Sequence, residues 1–564
     1  MRISRIGIIG RTYRHIQRYR QILTVLFRYG FGDLLDTLKI EQYIEIGRKI
    51  LSKKRREKIE KLTRAERIRM ALEELGPTFI KLGQILSTRP DLIPLEYIQE
   101  LARLQDNVPS FPFEDVREIF KSETGKFPEE LFRHFEEVPL AAASIGQVHR
   151  AQMRDGQEVV VKVQRPGIKR IVEVDLEIML HLAGLMERHL EELEGYRPSK
   201  IVEEFAHSLA REINYNIEAS HIEHFARQFD GDTTIYVPKV FREIITERIL
   251  TMEYIDGIKI SNLDLLRQKG FDLKEIAKRG SDLIMKQVFV YGFFHADPHP
   301  GNIFILPDNV ICYLDFGMMG RISYEDKEDF ANLVTHLVQK DEKKLVRALL
   351  KLTYYDEEPD SAKLERDLVE FVDRHLYRPL KELEIGKLLQ QLLEILARHK
   401  LYLKSDLFLM MKVFSTVEGV GMVLDPDYQI IEHAEPFVRR FQWGRFNPKK
   451  IAGDAIESGT EILHLLREIP GELEEILKQA KKGKIKIEFE HRGLSPMLST
   501  LDRTSNRIAF AIVLASLVVG SSLVVLSDIP PKWNEIPVIG LAGFVIAGLM
   551  GFWLLVSIMR RGRM

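Results

Sequence analysis

The feature that most restricts how this chain can fold is His295-Ala-Asp-Pro-His-Pro-Gly-Asn302, followed thirteen residues later by Asp315-Phe-Gly317. Between them lie two short apolar runs, 303–306 and 311–314, separated by Pro307-Asp-Asn309. Apolar runs of this length broken by turn residues read as a β-hairpin. The hairpin presents Asn302 where the chain enters it and Asp315 where the chain leaves. A carboxylate such as Asp297 can orient or deprotonate an acceptor. An amide oxygen and a second carboxylate are hard ligands for Mg²⁺ on phosphates. The segment therefore points to phosphoryl transfer, with Asp297 facing the acceptor and Asn302 and Asp315 holding the metal.

Upstream residues test that reading. Val159-Val-Val-Lys162-Val163 is an apolar strand interrupted by one lysine, which is costly unless paired. The order H-x-D-x-x-x-x-N, then D-F-G, resembles the catalytic lobe of protein kinases, in which such a strand lysine binds the α/β-phosphates. On that resemblance Ala141-Ala-Ala-Ser-Ile-Gly146-Gln-Val148 stands where a glycine-rich loop covers the phosphates. Ala141 and Ala143 occupy the first two glycine positions and only Gly146 remains. Ala141, Ala142, Ala143, Ser144, Gly146 and Val148 are thus expected at the nucleotide. The methyl groups should stiffen the loop and change how its N–H groups approach phosphate. Met252-Glu-Tyr-Ile255 resembles the segment joining two kinase lobes, where backbone groups at Glu253 and Ile255 would read adenine. Lys162 needs an acidic partner on a helix. Glu212 and Glu218 are six apart, on different helical faces, and spacing leaves both open.

Lys81-Leu-Gly-Gln84, the alanine loop and the 295–302 stretch together resemble the UbiB-type atypical kinases of isoprenoid-quinone biosynthesis, over about residues 70–330. The resemblance implies that Glu218 pairs with Lys162, while Glu212 faces the N-terminal extension and Lys81. It also implies a helix across the cleft, with Lys81 and Gln84 toward the nucleotide and peptides shut out, so that Lys81, Gln84 and Glu212 regulate. ATP or ADP with Mg²⁺ are the implied cofactors. Quinone precursors or their enzymes are the implied partners, and a homodimer is compatible with it. The family's E-x-D element is Glu212-Ile-Asn214 here, its second acid an amide. Independently, Phe79, Ile80, Leu82, Ile85 and Leu86 make an apolar helical stripe ended by Ser87-Thr-Arg-Pro90. Gly83 within it costs about 1 kcal/mol relative to alanine, which suggests close packing. No A-P-E segment follows Gly317, so the peptide platform of a protein kinase is missing.

A chain of 564 residues has room for several units. Lys+Arg 82 against Asp+Glu 83 gives no general affinity for nucleic acid. The single Cys312 cannot form an intrachain disulfide, which suits a reducing, cytoplasm-facing setting. The neutral total hides an arginine-rich start: Arg2, Arg5, Arg11, Arg14, Arg18, Arg20 and Arg28 precede the first acid, Asp33. Interleaved apolar residues make this segment amphipathic. It could lie on anionic lipid, act as a transit peptide, or pack on the kinase core.

Residues 508–526 and 538–559 carry no charge and are each long enough to span a bilayer. A polar turn with Trp533 joins them. Arg503 and Arg507 before the first, and Arg560, Arg561 and Arg563 after the second, put both ends in the cytoplasm, at a bacterial inner membrane. Gly543, Ala547 and Gly551 form a small-residue face for helix packing.

The expected architecture is α+β: a bilobal protein-kinase-like fold with a helical N-terminal extension and a C-terminal transmembrane hairpin. The expected boundaries are 1–105 (extension), 106–253 (N-lobe), 254–470 (C-lobe), 471–505 (juxtamembrane linker) and 506–564 (hairpin). The expected function is that of a membrane-anchored, ATP-dependent kinase or ATPase supporting quinone synthesis. The alternatives are a kinase acting on protein or lipid, and a nucleotide-binding scaffold without catalysis.

Overall fold

A computed structural model describes residues 13–38, 62–87, 89, 92–93, 95–104, 109–190, 197–339, 341–355, 358–376, 385–430, 433–434, 436–437, 494–527, 529–533 and 536–561. The chain divides into two compact units, Met1–Ile451 and Ala452–Met564. Arg2, Arg5 and Arg11 and most of the 471–505 linker lie outside the described residues.

The strands, in chain order, are β1 (Phe132–Phe135), β2 (Ala141–Ala142), β3 (Gly146–Met153), β4 (Glu158–Gln164), β5 (Ile235–Tyr236), β6 (Ile249–Glu253), β7 (Ile258–Lys259), β8 (Phe293–His295), β9 (Ile303–Leu306), β10 (Val310–Tyr313) and β11 (Met319–Arg321). β1, β3, β4 and β6 lie side by side, antiparallel, with β2 paired to β3. The β3–β4 hairpin turns at Asp155-Gly156, where Gly156 has φ +93°, a conformation glycine adopts without steric cost. Side chains of a strand alternate between faces. Val159, Val161 and Val163 are buried with Val116, Ile119 and Phe120 of the helix Phe113–Thr124. Val160 instead joins Ala219, Ile222 and Phe225 of the helix Tyr215–Gln228. Lys162 has the parity of Val160, so alternation alone sends it toward the second helix.

In the second sheet, in the order β5-β10-β9-β7, the β9–β10 hairpin pairs Ile303 with Tyr313 and Ile305 with Ile311. Asp308 and Asn309 turn it at positive φ. Folding back brings both chain ends of the hairpin together, and the Leu314 N–H donates to the Asn302 carbonyl at 3.1 Å. Asn302 and Asp315 therefore emerge at one end. After Gly317 the chain does not enter a helix directly. β11 first pairs antiparallel with β8, matching Met319 to His295, and the next helix starts at Tyr324.

Helices Tyr324–Gln339, Glu342–Leu352, Ser361–Leu376, Ile385–Arg398 and Ser405–Leu424 follow. Leu250 and Met252 of the first sheet, Ile305 and Ile311 of the second, and Leu368, Leu396, Met410 and Val413 of these helices share one buried cluster. Ser405–Leu424 is apolar and long enough to cross a bilayer, yet half of it is buried inside this unit. It is a core helix.

The helix Tyr13–Arg28 corrects one reading of the basic N-terminal segment. Its apolar face does not look outward to lipid: Ile22 and Val25 are buried with Leu72 and Leu75 and with Ile178 and Met179. Arg18 crosses to Asp175, whose side chain is fully buried, with Nε to Oδ1 at 2.7 Å and Nη2 to Oδ2 at 2.9 Å. Nη2 also donates to the Leu75 carbonyl at 2.7 Å. An amphipathic arginine-rich helix satisfies a buried acid as readily as a lipid surface, and here the acid is present.

The second unit is built on Leu494–Leu526 and Val538–Arg561, joined through short paired strands at Lys532–Trp533 and Ile536–Pro537. The helices meet on small residues. A Cβ at Gly540 would come within 2.6 Å of Val525 Cγ2, and one at Gly543 would overlap the Ser521 hydroxyl. Ala547 is buried, while Ile512, Val519, Leu523, Ile539, Leu549, Phe552 and Trp553 face outward and exposed.

Candidate active site

Lys162, Glu218, Asp297, Asn302 and Asp315 all line one cavity of about 740 Å³. Lys162 Nζ is ion-paired with Glu218 Oε1 and lies 3.9 Å from Asp315 Oδ1. Burial works against the ammonium, but Asp315 and Glu218 outweigh it and hold the Lys162 pKa above the usual lysine range. Lys162 in turn, against burial, draws Asp315 down to about 2. Glu218 differs: its side chain is 7% exposed, against 51% for Asp315. Burial pushes the Glu218 pKa up despite the pull of Lys162. Asp315 is the carboxylate left ionised and open to the cavity, and Glu218 is the inward anchor of the lysine.

Glu218 does a second thing. Its Oε1 accepts the Phe316 N–H at 3.3 Å, and His221 Nδ1, one helical turn on, bonds the Phe316 carbonyl at 3.0 Å. The Asp-Phe-Gly backbone is gripped at both polar groups by one helix. His295 is buried, and that burial lowers its pKa. Its Nδ1 accepts the Asp297 N–H at 3.3 Å, and Nε2 bonds the Asp315 carbonyl. These partners assign a neutral Nε2–H imidazole, stacked on Tyr313 at 5.0 Å. One ring thereby fixes both motif aspartates.

The alanine loop is a tight hairpin. Ala141 and Ala142 pair with Val148 and Gln147, and the Ala143 N–H donates to the Gly146 carbonyl at 2.8 Å. That N–H is committed within the loop. Ala143, Ser144, Gly146 and Val148 line the cavity, whereas Ala141 and Ala142 do not. Gly146 is needed for packing: a Cβ there would lie 2.5 Å from the Val163 carbonyl oxygen and 2.6 Å from Tyr215 Oη. The Ser144 hydroxyl is buried without a partner at the cavity wall, a donor that a phosphate oxygen would satisfy. Among the described residues no group of three or more His, Cys, Asp or Glu could hold a metal alone. The amide of Asn302 and the carboxylate of Asp315 suit Mg²⁺, which keeps waters and phosphate oxygens in its shell.

Other expected residues sort differently. Lys81 Nζ and Glu212 Oε1 are 2.7 Å apart, and both line the cavity. Gln84 does not point there: its Nε2 donates to the Leu104 carbonyl at 3.3 Å, in the turn that follows the helix Leu95–Leu101. Glu253 and Ile255 are not cavity residues either. The Glu253 carboxylate accepts from Tyr236 Oη at 2.9 Å and from the Lys239 N–H at 3.1 Å, and its own N–H bonds the Lys239 carbonyl. Asn214, in place of the family acid, caps the helix Tyr215–Gln228 by accepting the Asn216 N–H at 3.1 Å. Lys412, not singled out from sequence, places Nζ 2.9 Å from Asp297 Oδ1. Its signal was the one used for Lys162, a lone lysine inside the apolar run Leu407–Phe414.

A family model described as the ABC1 atypical kinase-like domain matches residues 103–349. The UbiB helical domain matches 368–429, and the ABC1/UbiB kinase-like C-terminal domain matches 492–560. A protein of the hydrogenase 1 5′ region of Clostridium pasteurianum is 34% identical, covering 97% of this chain and 99% of its own. A probable protein kinase UbiB of Xylella fastidiosa is 32% identical over 88% of this chain and 91% of its own. A Synechocystis protein, sll1770, is 35% identical over 82% and 80%. The chain belongs to the ABC1/UbiB family of atypical kinase-like proteins.

Proposed function

We propose that this protein is an ATP-dependent atypical kinase or ATPase, anchored in a membrane by its C-terminal hairpin and serving isoprenoid-quinone (ubiquinone) biosynthesis. The observation that carries the reading is the convergence of a buried Lys162–Glu218 pair, an ionised Asp315, Asn302 and Asp297 on one cavity. In this reading Lys162 and the Ser144 hydroxyl bind phosphate oxygens. Asn302 and Asp315 hold Mg²⁺, which when bound neutralises charge on the phosphates. Asp297 orients the attacking oxygen of the acceptor or of water.

The acceptor side favours something other than a peptide. Lys81, Leu82, Ile85 and Leu86 of the helix Pro77–Leu86 wall the cavity, and Lys81 ties that helix to Glu212 of Pro198–Glu212. The apolar outward faces of the C-terminal helices are suited to lipid rather than water. The quinone pathway rests on family membership. The test is phosphate release by the purified full chain in liposomes with Mg-ATP, with and without a prenylated phenol. Turnover above an Asp315→Asn control, raised by the phenol, is expected. Release equal to that control would overturn the enzymatic reading.

A further inference from the structure

Lys412 stands inside the helix Ser405–Leu424 between buried Met411 and Val413. An ammonium at such a site is costly without a partner. Its partner is Asp297 Oδ1, 2.9 Å away and 115 residues earlier in the chain. The helix is fastened beside the other motif aspartate too. Asp406 accepts the Arg321 N–H at 3.3 Å, just past Asp315-Phe-Gly317, and Lys404 Nζ lies 2.6 Å from Asp326 Oδ1. Asp406, Phe408 and Leu409 line the same cavity. This helix falls in the family segment 368–429, separate from the kinase-like segment 103–349 that holds the other groups.

We propose that Lys412 is a positioning residue for Asp297, so that the helical region after the kinase-like domain completes the acceptor end of the site. The proposal rests on the reading of Asp297 as the carboxylate that faces the acceptor. An ammonium bound to Oδ1 fixes the side-chain rotamer and leaves Oδ2 for the acceptor. Neither the His295 nor the His299 imidazole donates to the Asp297 carboxylate among the described hydrogen bonds: His295 Nδ1 accepts the Asp297 N–H, and His299 Nδ1 accepts the Gly301 N–H at 3.1 Å. A shift in helix Ser405–Leu424 would therefore reach the reacting end of the cavity directly.

The test compares Lys412→Met, Lys412→Arg and Asp297→Asn in the full chain, by phosphate release in liposomes and by Mg-ATP affinity. Lys412→Met should lower kcat about tenfold or more, because Asp297 loses the contact that orients it. Mg-ATP affinity should stay within about twofold, because the lost contact is at the acceptor end. Lys412→Arg should restore most of kcat. In the Asp297→Asn background, Lys412→Met should add nothing further. An unchanged kcat in Lys412→Met would overturn the proposal. So would a parallel loss of nucleotide affinity, which would make the lysine a nucleotide or folding group. Full turnover in Asp297→Asn would remove the reading of Asp297 itself, and this proposal with it.

Discussion

Lys162 lies between two carboxylates and treats them unequally, because one is enclosed and the other opens on the cavity. Asp315→Asn removes the exposed charge while leaving Glu218 to hold the lysine. It should abolish the thermal stabilisation that Mg-nucleotide gives the protein, and a stabilisation equal to that of the parent would count against the metal assignment. The buried histidines set a pH limit. His149, His221 and His295 all have pKa values lowered by burial. Freed in the unfolded chain they bind protons near pH 6.5, while the native imidazoles resist protonation. Their contribution is intact above about pH 6.5 and is lost as pH falls below it. Asp315 is depressed from an already acidic value, so its own effect lies below this window. Thermal melts from about pH 7.5 down to about pH 5 should show a falling Tm, and a flat profile would mean that these rings titrate freely. At this scale most of the site was legible, since lysine in an apolar strand and acids at motif spacing are costly placements that need partners. Lys412 gave the same local signal, but its partner is fixed by the packing of a distant helix, which spacing does not encode.

The alanine loop and the Lys81 helix show how an element's environment decides what its residues mean. Ala143 has its N–H bonded to Gly146 and is not in the left-handed region, so the loop has no need of glycine there. Ala143→Gly should loosen the turn and change the ratio of ADP to ATP affinity, as read by calorimetry. Identical affinities in variant and parent would show that the loop does not contact phosphate. Gly83 is the opposite case. A Cβ there would overlap Leu104 Cδ1 and lie 2.9 Å from Leu72 Cδ1. Gly83→Ala gains about 1 kcal/mol in helix propensity, while overpacking costs about 1–3 kcal/mol. With two leucines in the way the second effect should win, lowering the urea midpoint. A raised midpoint would show that the leucines simply step aside. The β9–β10 hairpin and β4 were readable from short apolar runs and turn residues. The amphipathic pattern of Tyr13–Arg28 was readable, but not its counterpart. Arginines spaced for anionic lipid are spaced equally well for Asp175 and Glu74, so only tertiary packing decides between them.

The whole chain joins a kinase-like unit to a helical unit whose described helices expose large apolar side chains. In Leu494–Leu526 and Val538–Arg561 the small residues Gly540, Gly543 and Ala547 sit at the helix contact, and the large ones point away from it. Water would penalise that arrangement. Each exposed Leu, Ile or Phe forgoes about 1.5–3 kcal/mol of burial. A soluble surface helix would place charges on its outer face, and residues 508–526 have none. Ser405–Leu424 shows the contrast. It passes the same test of length and composition, but half of it is buried and its lysine is paired inside the kinase-like unit. Burial therefore distinguishes the two helices where hydropathy does not, which supports the proposed anchor. Deleting residues 506–564 should convert a protein that only detergent extracts into one released from membranes by high salt or alkaline pH. Because the N-terminal helix spends its apolar face on the kinase-like unit, little attachment should remain. The truncated chain should keep its nucleotide-dependent thermal shift, since every cavity residue precedes position 410. Full-length and truncated chains that both fractionate as soluble would refute the anchor while leaving the nucleotide site standing.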